Sequence, residues 1–568
     1  MALLFLFLPG YIFTLYLPKI KNFFERLAFS FVLSLSFEII ISSLVAFLKP
    51  TLINHSLTII AAFTIVMAII KKKKIFILLN EWKNISKKEK VFFGVVCFLS
   101  LGAAIFIFYP HFGYLWPIHV DEWWAIGTIK NLVEGKSLNL DPYSFTPYPN
   151  YKPGFTSLLA AFSSFFHIDP IKYWPFLPAF NVFLVSFIAS LILFKITRNF
   201  FAAGLVPLFL VALRSNAYVL GWWFFVPSSF ALIFVLFLLV AAKHLILESP
   251  LYIFLSLILF TALGLIYLPF LGFVLLSFIP FTFQFFKKFP KIFFLLLIGT
   301  IVLISVFFFK SPYEAYWLNE KPFMIKNFFV PIGATFHFFE FLSFFKVMPL
   351  IIGLLAILGA FAVRKNNDLV GLLTAGLISV LNLILIYWKK FSFLVFYQRS
   401  YYFGGVVLAI LAAFGLDFIW PKLKLKSIFK LAIVIAVIIA IFDGYFNLPS
   451  GTLLYHLVNS SDLEAFRWLK NQNNLKGTMT FAEPAVGSII TPFTRLPTKF
   501  NWLTTQNITI INQPTSPLLF FQTDDCQLKQ EIVKKLNVSI IYSHRPQDCQ
   551  FLKEIYNSNG VFIYEATL

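Results

Sequence analysis

The stretch HVDEWWAIGTIKNLVEGKSLNLDPYSF, residues 119–145, is the polar centre of this chain. It lies within a segment, 110–153, that separates two strongly apolar runs. Asp121 and Glu122 stand side by side, and His119 precedes them by two and three positions. Trp123 and Trp124 follow, and Asp141-Pro142-Tyr143 and Asn150-Tyr151-Lys152-Pro153-Gly154 come later. Paired carboxylates beside a membrane span, with aromatic neighbours and a downstream Lys-Pro, suit a reaction centre at a membrane surface. A plainer alternative is that Asp121 and Glu122 solvate a loop or cap the helix that follows. The rest of the chain has to decide between the two.

Composition sets the class. The 568 residues are 59% hydrophobic and only 12% charged, with mean hydropathy +0.84. That balance excludes a soluble globular protein and predicts an α-helical polytopic membrane protein. The net charge of +21 would suit a nucleic-acid partner, but its placement argues for none. Lys and Arg gather in short loops between apolar runs, which is the orientation signal of membrane insertion.

About fourteen spans are expected on the roughly twenty-residue criterion. They fall at 2–17, 27–48, 57–70, 91–109, 174–194, 201–213, 217–242, 251–268, 269–286, 292–309, 347–363, 369–388, 401–420 and 428–446. The first has no basic leader and no small-residue cleavage site, so it reads as a retained span. With this count, the basic loops at 19–26, 71–90, 195–198, 287–291, 364–365 and 422–430 all fall on one side, the cytoplasm. The Asp121 loop, 310–346, 389–400 and the C-terminus then lie outside it. Residues 155–166 are apolar but too short to cross, and predict a helix in or near the interface. Residues 328–345 have a similar character, interrupted by Pro331, Gly333, His337 and Glu340.

Three regions follow. Residues 1–90 are additional N-terminal spans and a basic cytoplasmic loop. Residues 91–447 form a transmembrane module with an external loop at 110–173, and 448–568 form a small, soluble, extracytoplasmic α/β domain. In that domain 460–474, 525–536 and 550–556 read as helices, and 479–481, 508–511, 538–542 and 561–564 as strands. Cys97 lies inside a span and reads as a small buried side chain. Cys526 and Cys549 share the external domain, where a disulfide can form.

A sugar joined to a lipid phosphate through its anomeric carbon carries a good leaving group once the phosphate charge is matched. Transfer then needs a carboxylate to deprotonate an acceptor hydroxyl, and cations near the phosphate. Asp121 can be that base, with Glu122 orienting the acceptor, sharing the proton or binding a metal. Lys152 and Arg399, in loops at the mouths of spans, are the cations placed to meet a phosphate. The plainer readings are that Lys152 snorkels to the interface and Arg399 marks a span boundary. His119, Tyr151, Trp123 and Asp141 complete the set of candidate substrate contacts. A divalent metal is left open. Asp121 and Glu122 would hold it, with Asp141, Glu314 and Glu320 as the external additions, since a hard cation wants several oxygen ligands.

These residues resemble the GT-C class of integral membrane glycosyltransferases, in particular the protein O-mannosyltransferase and aminoarabinose transferase group. The resemblance is carried by the 119–145 stretch, by NYKPGFTSLLAAFSSFF at 150–166 and by QRSYYFGGVVLAILAAFGLD at 398–417. It implies an inverting transfer from a polyprenyl- or dolichyl-phosphate sugar to a glycan, lipid or protein acceptor. It also implies Asp121 as the catalytic carboxylate and Lys152 and Arg399 near the donor phosphate. The chain departs from the pattern in three places. Lys152 is followed by Pro-Gly rather than two prolines, three spans precede the first core span, and no WWDYG-like sequence marks the C-terminal part. The last departure points away from an oligosaccharyltransferase. A lipid or glycan flippase or scramblase, or a non-catalytic polysaccharide-assembly protein, is the competing reading. A coupled transporter would place ionisable groups in mid-span, and the spans offer little beyond Glu38.

Overall fold

The structure is a computed structural model. It describes residues 2–17, 20, 22–72, 76–147, 152–213, 221–247, 250–291, 329–331, 348–364, 366, 369–389, 391–393, 397–419, 426–446, 456–475, 477–499 and 517–567. Helices dominate, and a four-stranded sheet closes the chain. Six helices among the described residues are long and apolar enough to cross a membrane, as expected of a multi-pass membrane protein.

The Phe23–Leu48 helix is central. It packs against the Ala2–Thr14, Ser56–Ile70, Pro153–Phe166 and Leu177–Thr197 helices. Its sequence carries serines that would be costly in a dry bundle if unbonded. Ser30, Ser36 and Ser43 each donate back to the carbonyl four residues earlier, at 2.6–2.7 Å, so their burial costs little.

Four of the six basic loops expected on one side meet at one end of the bundle. Arg26 is buried and binds Glu81 through Nε and Nη2 at 2.9–3.1 Å. Glu25 pairs with Lys195, and Arg198 lies 3.6 Å from Glu89. Lys430 sits over the Phe201 ring at 5.4 Å, and Asn199 donates to Asp417 at 2.8 Å. Four basic loops far apart in sequence therefore share one face.

Most expected spans are helical, with three departures. The 201–213 run is two short helices, Phe200–Gly204 and Val206–Val211, broken ahead of Pro207, whose ring and missing N–H oppose continuation. Neither piece is long enough to cross. The span expected at 217–242 begins only at Pro227, a residue suited to a helix start. Residues 221–226 before it are buried and non-helical. The runs expected at 251–268 and 269–286 appear in one helix assignment, Pro250–Ser277, interrupted at Tyr267 (φ −156°, ψ 92°). The rings of Phe260 and Phe278 are 5.4 Å apart. A straight helix would separate these positions by roughly 27 Å, so the chain turns back on itself at Tyr267. The 292–309 span, nearly all of 310–346 and most of 328–345 lie outside the described residues.

Two devices hold the Tyr397–Ile419 helix. Against Leu350–Val363 the backbones touch, because Gly359 and Gly415 each face a carbonyl of the other helix where a Cβ would collide. At its start, Asn382 Nδ2 donates to Ser400 Oγ at 2.7 Å, and Ser392 and Ser400 hydroxyls meet at 2.9 Å. Ser392 belongs to a short strand, Phe391–Phe393, paired antiparallel with Phe329–Pro331.

In the C-terminal sheet Thr480–Ala482 pairs parallel with Ile540–Ser543, which pairs antiparallel with Val561–Ala566, which pairs antiparallel with Leu552–Ser558. The helix expected at 550–556 is therefore a strand. Asn559 and Gly560 both take positive φ, 51° and 79°, the turn that an Asn-Gly pair favours and that folds two strands into a hairpin. The expected 460–474 and 525–536 helices appear as Ser460–Asn471 and Cys526–Leu536. The 508–511 run lies outside the described residues. Cys526 and Cys549 are joined by a disulfide, with Cα atoms 5.6 Å apart.

A helix not anticipated from sequence, Pro484–Thr494, docks this sheet on the Val120–Val133 helix. Gly127 makes the approach close, since a Cβ there would lie 2.7 Å from Pro142 and 3.3 Å from Pro492. Arg495 Nε and Nη2 bind Glu134 at 2.6 and 2.9 Å, and Nη2 also reaches Asn131 at 2.6 Å.

Candidate active site

The Val120–Val133 helix opens with a reciprocal cap. His119 is the N-cap, and its Nδ1 accepts from the Asp121 N–H at 3.2 Å. Glu122 Oε2 reaches back to the N–H groups of His119 and Ile118 at 3.1 and 2.8 Å. Its other oxygen, Oε1, accepts from the Phe225 N–H at 2.9 Å. Glu122 is fully buried and ties together a helix start, the loop before it and the non-helical 221–226 segment. Burial pushes its carboxyl up to about 7 despite the three backbone donors. The same segment is held at Trp222, whose N–H donates to Tyr402 Oη at 2.9 Å.

Asp121 is the other half of the pair and faces elsewhere. Its carboxylate lies 3.5 Å from Arg399 Nη2, with 38% of the side chain exposed. Burial would raise its pKa, but the positive field of its surroundings, with Arg399 and Lys152 as the permanent charges, outweighs that and holds it below the usual carboxylate range. Asp121 is therefore ionised at neutral pH, with a cation beside it. Lys152 Nζ stands 5.5 Å from the centre of the Trp124 ring. Both cations expected from the sequence thus gather about Asp121, from positions 31 and 278 residues away, and Arg399 comes from the first turn of the Tyr397–Ile419 helix rather than from the expected loop.

The remaining candidates divide. His119 is buried and neutral, its pKa lowered by burial to about 4. Trp123 is fully buried in the core, so it supports the helix rather than lining the opening, and Trp124 takes the position beside Lys152. Asp141 shapes a turn. Its Oδ1 accepts from the Tyr143 N–H at 3.2 Å, and its Oδ2 from Ser144 Oγ at 2.6 Å. That turn presents the Tyr143 carbonyl to Thr498 N–H and Thr491 Oγ1 of the C-terminal part, at 2.9 and 3.2 Å. Tyr151, Glu314 and Glu320 lie outside the described residues.

Sequence reasoning missed Trp124, the 221–226 segment and Arg495. The His-x-x-Glu spacing of 119 and 122 is a legible capping signal and separates the roles of Asp121 and Glu122. Nothing in the sequence pairs 221–226 with position 122.

The donor set does not fit a divalent ion held by Asp121 and Glu122. Both Glu122 oxygens are taken by backbone N–H groups, Asp141 is committed to its turn, and a guanidinium already faces Asp121. Among the described residues no group of three His, Cys, Asp or Glu side chains stands at ligating distance. Hard cations want more oxygens than the described residues offer here.

No family model matches the chain, and no curated protein does. Solved structures do. The chain is similar to a crystal structure of the Archaeoglobus fulgidus oligosaccharyltransferase, a complex with Zn and sulfate, with TM-score 0.50 and 14% identity. The match covers 78% of this chain and 67% of that one. A second structure of the same archaeal protein, tethered to an acceptor peptide containing the NVT sequon, gives TM-score 0.48 at 14% identity, covering 79% and 69%. At this identity the likeness is one of fold alone, and the chemistry has to be argued from the side chains.

Proposed function

We propose that the chain is a GT-C membrane glycosyltransferase that uses a polyprenyl- or dolichyl-phosphate sugar donor and an acceptor hydroxyl on the extracytoplasmic face. The observation that carries the reading is the ionised Asp121 carboxylate beside Arg399, at the start of a helix and open to solvent on one side. Residues 91–447 would form the catalytic module and 448–568 an external domain that docks on its first external helix.

In this reading the acceptor oxygen attacks the anomeric carbon, the bond to the phosphate oxygen breaks, and configuration inverts. The hydroxyl proton passes to Asp121, and the lipid phosphate departs with the bonding electron pair. Arg399 and Lys152 match the charge that grows on the phosphate. Arg399 answers to two anions, the Asp121 carboxylate in the free protein and the phosphate when donor binds. As the phosphate draws the guanidinium away, Asp121 becomes a better base at the moment it is needed. Glu122 positions both this helix and the 221–226 segment without touching substrate.

The test is sugar transfer from a radiolabelled polyprenyl-phosphate donor by purified protein in lipid. Asp121→Asn keeps shape and removes the base, and turnover should fall by roughly 10²–10⁴-fold with donor binding little changed. Near-normal transfer by a folded Asp121→Asn protein would sink the mechanism. The base would then have to be another group, whereas no transfer by the wild-type protein would favour a lipid or glycan flippase, scramblase or assembly protein whose acidic loop only binds.

A further inference from the structure

The N-cap histidine carries a donor that the fold does not use. His119 Nδ1 is an acceptor, because it receives the Asp121 N–H. A neutral imidazole with an accepting Nδ1 must bear its proton on Nε2. That Nε2–H is buried and has no hydrogen-bond partner among the described residues. A buried donor without a partner is costly, so one at a helix start beside an Asp–Arg pair calls for an occupant. The ring is clamped edge-on against Phe224, centroids 5.3 Å apart, so the donor cannot swing freely to water. It also lies within electrostatic reach of both Asp121 and Arg399.

We propose that His119 Nε2–H donates a hydrogen bond to a phosphate oxygen of the donor lipid, completing with Arg399 a phosphate site at the start of the Val120–Val133 helix. The inference rests on the glycosyltransferase reading and adds a specificity residue to it. Three features of the site fit an anion. A helix N-terminus carries partial positive charge, Arg399 supplies a full one, and a neutral N–H adds direction without adding charge. The fixed tautomer has a second consequence. With its proton on Nε2, His119 cannot ligate a metal through that nitrogen while it caps the helix, so the residue serves the phosphate and not a cation.

The design of the test separates cap from donor. Asn is among the best N-cap residues, so His119→Asn keeps an acceptor for the Asp121 N–H and removes the Nε2 donor. Binding of undecaprenyl phosphate and of undecaprenol, which lacks the phosphate, is measured on the full chain in nanodiscs alongside the melting temperature. Wild type should prefer the phosphate. In His119→Asn that preference should shrink about tenfold or more, as expected for losing a hydrogen bond to a charged group, while the melting temperature stays close to wild type. His119→Gln, whose longer amide carries an N–H₂ nearer the lost position, should recover part of the preference. An unchanged phosphate preference in folded His119→Asn overturns the inference and leaves the glycosyltransferase reading standing. An equal loss of affinity for undecaprenol also overturns it, since the contact would then be to the chain. If wild type shows no phosphate preference, the reading beneath it fails as well.

Discussion

The Arg399 guanidinium lies 3.5 Å from the Asp121 carboxylate across 278 residues of chain. The helix that brings it there is fixed by backbone contact at Gly359 and Gly415 and by the Asn382–Ser392–Ser400 cluster at its start. The pairing is a product of bundle packing, and it gives the acidic loop a guanidinium that its own sequence, with lysines only, lacks.

Replacing Arg399 tests geometry against charge. Arg399→Ala should weaken polyprenyl-phosphate binding by roughly 10–100-fold, the range for a lost hydrogen bond to a charged group. Arg399→Lys should recover only part of that, because an ammonium cannot present the planar fork. Equal binding by Lys and Arg would assign the residue a purely electrostatic role.

Glu122→Gln should be poorly tolerated despite its close shape. The three backbone groups that bond the carboxylate are all N–H donors, so one of them would meet an amide N–H₂ instead of an oxygen. The expected cost is about 1–3 kcal/mol for each buried donor left unpaired. A lowered melting temperature with a matching loss of transfer is expected. A full melting temperature with lost transfer would instead put Glu122 in the chemistry.

His544 predicts a pH dependence of stability in the C-terminal sheet. Its Nε2 lies 2.7 Å from Asp462 and its Nδ1 3.4 Å from Glu483, and these hydrogen bonds raise its pKa to about 10. A cationic group with a raised folded pKa stabilises fully below its unfolded value, near 6.5, and loses that contribution as pH rises through about 10. Thermal unfolding followed from pH 6 to 10.5 should show a progressive decline that His544→Gln flattens. A wild-type curve as flat as the variant's would remove His544 from the stability account.

Orientation is the remaining test. The convergence of Arg26, Glu81, Glu25, Lys195, Arg198 and Glu89 at one end predicts that this end faces the cytoplasm. In a Cys97→Ser background, Ser144→Cys should react with an impermeant thiol reagent in intact cells, and Lys88→Cys only after permeabilisation. The reverse pattern would turn the whole topology over.

By itself the sequence determined the class of the protein, its apolar helices and the location of its acidic centre. Those properties are local. Long apolar runs have to become helices because the bilayer offers backbone groups no other partner, and charges in short loops mark their ends. A resemblance in three short segments pointed to membrane glycosyltransferases, and the fold is similar to that of a solved archaeal oligosaccharyltransferase. What the tertiary structure alone decided is where each carboxylate faces. Asp121 and Glu122 are neighbours in sequence, but a helix turns successive side chains by about 100°, so one meets Arg399 and the other disappears beneath Phe225. The strand at Leu552–Ser558 and the unwound segment before Pro227 were hidden for the same reason. Each exists because of a partner elsewhere, Val561–Ala566 in one case and Glu122 in the other, and no local pattern contains that partner.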